Sequence, residues 1–327
     1  MGETLATGCM HCNQGAKMVL FITGICPRSC WYCPLSSQRK GHDVVYANET
    51  RISSPEEALR IAGKMDALGT GITGGEPLSR LDRVIRYAER LKEEFGQSHH
   101  IHLYTGCPPD ASTLKELTGL IDEIRLHPPG ESWNTISVSP YRDAVLMARS
   151  LGFSCGFEVP ALPEVGTLLP ALEFIDFLNI NELEWGETNA HEMRKRNYVP
   201  EDSVHNAVYG SKSWAGDISR LEKVHFCSSE FKDSVQLRRR LMRIARNTAR
   251  KFDEITEDGT IVYGRIECPG EVPPVIRALG SEMYEVRDGG IETAGWVLAE
   301  EESLGKHARS IIERYPDRGI VVEVLPL

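Results

Sequence analysis

The sequence predicts an α/β protein: a parallel sheet with helical crossovers, followed by a smaller C-terminal α/β unit. Three observations predict it. Strand-like and helix-like segments alternate from residue 17 to residue 185, the pattern of β/α units whose strands run parallel. The alternation stops at a polar excursion, 186–217. From about residue 254 a second set of short strand-like runs begins, bounded by turn signals. A length of 327 residues suits one large domain with an appendage.

The elements follow in order. "KMVLFIT" (17–23) is a buried strand pattern. Residues 54–68 open with Ser54 as N-cap, Pro55 at the first helical position and Glu56 and Glu57 in the first turn, so a helix starts there. "GTGIT" (69–73) is a short strand. Residues 79–95 form an amphipathic helix, with Leu81, Val84, Ile85, Ala88 and Leu91 on one face. Strands at 100–105, 121–127, 155–162 and 179–185 alternate with helices at 110–117, 141–151 and 165–178, the last bent by Pro170. That makes about six β/α units, and periodicity alone does not separate an open sheet from a barrel.

"KVHFCSS" (223–229) returns as a strand, and a long helix follows over 231–252. The last part reads as a hairpin-like "GTIVYGRIE", a short helix, two strands around Asp288-Gly289-Gly290, a helix over 300–315 and a final strand "GIVVEVLPL". The expected organisation is an N-terminal extension (1–16), a barrel-like domain (17–226), a basic helix (227–253) and a C-terminal α/β domain (254–327).

Composition excludes some classes. With 37 basic and 47 acidic residues the net charge is −10, which does not suit a protein that coats nucleic acid. There is no signal-peptide pattern and no apolar run of spanning length, so the expectation is a soluble cytoplasmic protein with no membrane partner. Nine cysteines in a reducing compartment read as thiols and metal ligands rather than a disulfide framework.

Three of those cysteines stand in "CPRSCWYC", as Cys26, Cys30 and Cys33, directly after the first strand. Loops that follow strands in parallel α/β proteins line the face where active sites collect. Structural zinc sites close with four ligands, commonly in C-x2-C pairs. Three thiolates on one tight loop instead suit three corners of a cubane iron–sulfur cluster, leaving the fourth iron open. The plainer alternative is a zinc site or a set of buried thiols.

This loop, with Tyr32 before the third cysteine, resembles the signature of the radical S-adenosylmethionine (radical SAM) superfamily. "GITGGEP" resembles the family's second motif, with Gly74, Gly75, Glu76 and Pro77 after the second strand. "FEVPALPE" resembles the fifth-strand segment of activases, and the chain is most similar to archaeal proteins related to the pyruvate formate-lyase activating enzyme. The resemblance covers about residues 17–185. It implies a partial (β/α)6 TIM-like barrel and a [4Fe–4S] cluster on Cys26, Cys30 and Cys33. It also implies S-adenosylmethionine held by the main chain of Tyr32, the Gly74–Pro77 segment and Val159, with Pro160 a further neighbour of the adenine. The implied chemistry is reductive cleavage to a 5′-deoxyadenosyl radical that takes hydrogen from a substrate. A flavodoxin or ferredoxin-like protein would supply the electron. The family's ribose-contacting polar residues have no clear match in "RLHPPG", where His127 could serve instead or could be a capped strand-end histidine.

Other residues carry separate expectations. Cys9 and Cys12 form a C-x2-C pair that, with His225 and Cys227, would make a second site for zinc or an auxiliary cluster; the alternative is two thiols on a loose terminus. Cys107, after the third strand, is a candidate hydrogen donor or substrate-binding thiol, or simply a buried cysteine. Arg239, Arg243, Arg246 and Arg250 recur at helical spacing as a stripe for an anionic partner, or as a solvated face paired to carboxylates. "MRKRNY" is a second basic spot. The substrate could be a protein residue, an RNA base or a small metabolite. The rival from another class is a non-catalytic iron–sulfur or zinc protein on the same scaffold.

Overall fold

Within the N-terminal extension, α1 (Thr7–Asn13) carries Cys9 and Cys12. The computed structural model describes residues 5–268 and 271–327 and folds the chain into two compact units. One comprises residues up to 63 with 67–236; the other comprises 64–66 with 237–327.

In the first unit β1 (Lys17–Phe21) is flanked on one side by an antiparallel ribbon, β2 (Val45–Ala47) and β3 (Thr50–Ile52). On its other side lie β4 (Gly69–Thr73), β5 (His100–Thr105), β6 (Glu123–Leu126), β7 (Ser154–Pro160), β8 (Leu178–Asn181) and β9 (Val224–Cys227). These pair in parallel and in chain order, as short one-place crossovers produce. The parallel run is thus one strand longer than the six units counted up to residue 185. The added strand is β9, from "KVHFCSS".

The crossover helices form where caps and periodicity predict them: α2 (Pro55–Lys64), α3 (Leu81–Phe95), α4 (Ala111–Leu117) and α5 (Pro140–Ser150). On α3 the buried face is Val84, Tyr87, Ala88 and Leu91. Asp110 caps α4 by accepting from Thr113 N. The segment with Pro170 is a 3-10 helix, Val165–Glu173, rather than a bent α-helix; proline removes the N–H a regular turn needs there. The polar excursion carries α6 (Ala190–Lys195) and α7 (Ser211–Ala215), and a π-helix (Phe231–Gln236) ends the unit.

The inward face of β5 to β8 is polar. Arg125, 2% exposed, donates from Nε to Glu123 Oε1 (2.6 Å) and from Nη1 to Glu158 Oε2 (2.6 Å). Glu158 also accepts from Asn179 (3.1 Å) and Asn181 (2.8 Å). Buried charges persist only when paired and hydrogen-bonded in this way. α1 lies across the end where the strands begin, and Gly8 fits because a Cβ there would stand 2.3 Å from His102 Nδ1.

The second unit starts with α8 (Leu237–Thr248) and adds a six-stranded antiparallel sheet. Its strands are β10 (Glu254–Ile255), β11 (Ile261–Glu267), β12 (Tyr284–Arg287), β13 (Gly290–Thr293), β14 (Arg309–Arg314) and β15 (Val321–Pro326). Short helices α9 (Pro274–Arg277) and α10 (Gly295–Glu300) lie among them. Tyr263, Ile266, Ile291, Leu298 and Ile312 centre its core. The helix expected over 300–315 is not formed. Helix α10 ends at Glu300 and residues 309–314 are a strand, because Ser310, Ile311 and Ile312 pair with both β11 and β15. Cross-strand packing of β-branched residues overrides the local helical pattern. Among the described residues no helix is long and apolar enough to cross a membrane.

Candidate active site

The loop after β1 is fastened to its neighbours by side chains within the cysteine motif. Arg28 Nη1 donates to the carbonyl oxygens of Gly106 and His127 (2.8 Å to the latter), tying the loop to the ends of β5 and β6. His127 shares Nδ1 with the Glu158 carbonyl at 2.7 Å, so that nitrogen carries the proton and Nε2 accepts from Tyr32 OH at 2.9 Å. Burial lowers the His127 pKa and raises that of the Tyr32 phenol, consistent with a neutral pair. His127 therefore acts here as a strand-end histidine with both nitrogens engaged.

The Gly-Gly-Glu-Pro segment packs against the same loop. A Cβ on Gly74 would lie 2.6 Å from Thr23 O, and one on Gly75 would lie 2.5 Å from Ile25 O. The paired glycines let two βα loops touch backbone to backbone, through Gly75 N to Thr23 O (2.6 Å) and Glu76 N to Ile25 O (2.8 Å). The Glu76 side chain, 2% exposed, faces the end of β5. It accepts from Leu78 N (3.0 Å), Thr105 Oγ1 (2.8 Å), Gly106 N (2.8 Å) and Cys107 N (3.2 Å). The carboxylate is thus a clamp between two loops, a role the sequence did not suggest.

The polar excursion closes over the loop from the other side. Asn189, fully buried, donates from Nδ2 to Tyr32 O (3.0 Å), and Thr188 Oγ1 donates to Leu35 O (2.6 Å). Trp31 stacks on Tyr198 with ring centroids 5.8 Å apart, and Arg196 lies over Trp31. In the basic spot "MRKRNY", Lys195 and Arg196 both reach Glu192, and Arg194 lies over the Trp185 ring.

Cys26, Cys30 and Cys33, none of them in a disulfide, line one cavity of about 480 Å³ together with Tyr32, Gly74, Gly75 and Pro77. The rest of the lining includes Tyr104, Gly106 and His127 from the middle of the sheet order, and Glu158, Val159, Pro160, Asn181, Glu184 and Lys232 from its other end. Glu158 is held at about 2: burial pushes its pKa up, but Arg125 and the two asparagines outweigh that. Glu76 and Cys107 are not among the lining residues. Burial raises the Cys107 thiol pKa, and its main-chain N–H is held by Glu76.

The other expected positions fall elsewhere. Cys9 Sγ accepts from Arg125 Nη2 (3.4 Å) and Asn179 Nδ2 (3.3 Å), and Cys12 Sγ accepts from Gln236. His225 and Cys227 lie on β9, next to Asn179 and Asn181 of β8; burial pushes the Cys227 thiol up to about 12. Arg239, Arg243 and Arg246 are on α8, but Arg250 lies beyond its last residue, Thr248. The stripe breaks there because Arg250 turns onto carboxylates, reaching Asp253 (2.8 Å), Glu285 (2.8 Å) and Glu292. Arg243 pairs with Asp66 (2.8 Å), while Arg239 and Arg246 are exposed.

The donor set suits a cluster better than a single ion. Among the described residues no group of three or more His, Cys, Asp or Glu side chains is arranged to hold one metal ion. A cubane takes each thiolate on a different iron, and the three cysteines are free thiols lining one cavity. Burial raises the Cys26 pKa; a metal would deprotonate it outright. The residues present therefore fit such a group, with room beside it for a further ligand.

Residues 20–165 match the model of the radical SAM superfamily, and residues 259–327 match a domain of unknown function, DUF8061. Crystal structures of Streptococcus suis SuiB, alone and bound to S-adenosylmethionine, align at 13% identity with TM-scores of 0.41 and 0.42. They cover 65% of this chain, which spans about half their length (49% and 50%); so slight a likeness carries no argument. A protein of Methanocaldococcus jannaschii named "putative glycyl-radical enzyme activating enzyme" is far more similar, at 40% identity over 278 residues, 80% of this chain and 73% of that protein. At that identity and coverage the chain belongs to the radical SAM superfamily, as an enzyme of S-adenosylmethionine-dependent radical chemistry related to the activases.

Proposed function

We propose that Cys26, Cys30 and Cys33 hold a [4Fe–4S] cluster, that the Gly74–Pro77 backbone receives S-adenosylmethionine, and that the enzyme takes hydrogen from a residue of a protein substrate. The observation that carries this reading is the single cavity shared by the three thiols and the paired glycines. When bound, the reduced cluster and S-adenosylmethionine supply a 5′-deoxyadenosyl radical. The chain's own residues do the rest. Arg28, Glu76 and Asn189 fix the cysteine loop and its neighbours, so the bound groups are oriented by a framework that does not have to reorganise. Val159 and Pro160 give the cavity an apolar stretch of wall beside Glu158, which helps exclude water from a reactive radical.

A macromolecular substrate is supported by the name of the Methanocaldococcus relative, which concerns the activation of another enzyme. A flavodoxin or ferredoxin-like protein is the reductant this chemistry calls for. Nothing in the site favours the non-catalytic metal-binding alternative.

Anaerobic reconstitution tests the proposal. Wild-type protein given iron, sulfide, a reductant and S-adenosylmethionine is expected to form 5′-deoxyadenosine, and Cys30→Ala to form none. Wild-type protein that binds zinc and releases no 5′-deoxyadenosine would sink it.

A further inference from the structure

The cavity wall away from the cysteines holds a charged pair that cluster and cofactor leave unused. Lys232 sits on the π-helix Phe231–Gln236, a rare backbone form that recurs at functional sites. Its Nζ is 2.6 Å from Glu184 Oε1, and both side chains keep access to the cavity, at 28% and 21% exposure. Burial pulls the lysine pKa down, but the Glu184 carboxylate, with Cys227 and Glu158, outweighs that and keeps it charged. A lysine ammonium has three donors and a carboxylate two acceptor oxygens. Their mutual bond leaves donors on Lys232 and an oxygen on Glu184 with no partner among the described residues.

The other charges along this cavity are committed or balanced. Arg28 is bound to two carbonyls, Glu158 to Arg125 and two asparagines, and Glu182 accepts from Ser229 N. The lining holds three carboxylates (Glu158, Glu182, Glu184) and three cations (Arg28, Lys40, Lys232). With cations and carboxylates equal in number, the lining carries no net positive charge to favour a phosphate. A neutral group offering an acceptor beside a donor would meet a matching donor beside an acceptor. One residue of an extended polypeptide is such a group, because its own C=O and N–H point to the same side, with Cα between them.

We propose that Lys232 and Glu184 orient the substrate: Lys232 donates to the carbonyl, and Glu184 accepts the amide N–H, of one extended polypeptide residue whose Cα faces the cysteine-loop side of the cavity. The proposal rests on the reading of the chain as a radical SAM enzyme acting on protein. Both residues are positioning groups that bind the substrate backbone and do not touch the transferred hydrogen.

The test uses the full-length reconstituted enzyme with two probes, the protein fraction and the RNA fraction of source cells grown in deuterated medium. Mass spectrometry reads the fraction of 5′-deoxyadenosine that carries deuterium. The expected result is deuterium from protein, with the deuterated fraction falling about tenfold or more in Lys232→Met and Glu184→Ala, because a hydrogen bond to a charged group is lost at the substrate. Lys232→Arg, which keeps a cation, should restore most of it. A residue that merely supports the fold would lower total and deuterated product together, so an unchanged deuterated fraction in Lys232→Met overturns the proposal. Deuterium arriving from the RNA fraction overturns it as well. Wild-type enzyme that makes no 5′-deoxyadenosine with either probe refutes the underlying reading, a result distinct from the other two.

Discussion

Replacing Glu76 with glutamine separates a structural carboxylate from a ligand. The side chain is 2% exposed and accepts four hydrogen bonds, three from main-chain N–H groups and one from Thr105. A glutamine of the same shape has one accepting oxygen and turns an NH2 group toward the remaining donors. If that NH2 faces Gly106 N and Cys107 N, both lose their carboxylate partner, although Thr105 Oγ1 still accepts from Cys107 N at 3.1 Å. At least one buried donor is left unpaired, which costs about 1–3 kcal/mol. For a domain of ~150–250 residues, roughly 2 kcal/mol lowers Tm by about 4–8 °C. Thermal unfolding of the anaerobic apoprotein, followed by circular dichroism, measures it. A Tm within about 1 °C of wild type, below the smallest cost reasoned above, joined to a large loss of S-adenosylmethionine affinity, would show the carboxylate to be a ligand contact and refute the clamp.

Three further outcomes follow from the same geometry. Gly75→Ala sets a Cβ 2.5 Å from Ile25 O; overpacking backbone against backbone costs roughly 1–3 kcal/mol. It should lower iron loading of the reconstituted enzyme, and full loading at wild-type Tm would contradict it. Glu158 has a folded pKa of about 2, below its unfolded value near ~4.3, so its roughly 3 kcal/mol of stability is present above that value and lost as pH falls toward about 2. Glu158→Gln should therefore be less stable at neutral pH and show a flatter acid limb in urea titrations; an unchanged limb would count against the Arg125 pair. Arg250→Met strands Asp253, whose side chain is 1% exposed, and leaves Glu292 to Arg265 alone at 3.7 Å, at a cost of about 3–5 kcal/mol. Limited proteolysis should then cut residues 237–327 faster, whereas loss of polyanion binding at unchanged stability would return Arg250 to an anion-binding face.

The parts of the site that lie in one short stretch were legible in the sequence. Cys26, Cys30 and Cys33 stand on one loop, Gly74–Pro77 on the next, and alternation foretold the parallel strands beneath them. The parts that depend on contacts distant in sequence were not. Asn189 reaches Tyr32 across 157 positions, and Lys232 reaches Glu184 only because β8 and β9 pair. The Gly-Gly pair suggested close approach to a ligand, but the nearest obstacle to a side chain there is the cysteine loop itself. The strand β14 was hidden because its amphipathic pattern, read locally, matches a helix as well as a central strand.

Electron paramagnetic resonance of the dithionite-reduced protein, with and without S-adenosylmethionine, tests the central claim most directly. A [4Fe–4S] cluster on the three cysteines, with one iron open, predicts a reduced-cluster signal that changes when S-adenosylmethionine is added and is absent in a Cys26/Cys30/Cys33 triple alanine variant. A signal that survives in the triple variant, or that ignores S-adenosylmethionine in the wild type, would contradict it.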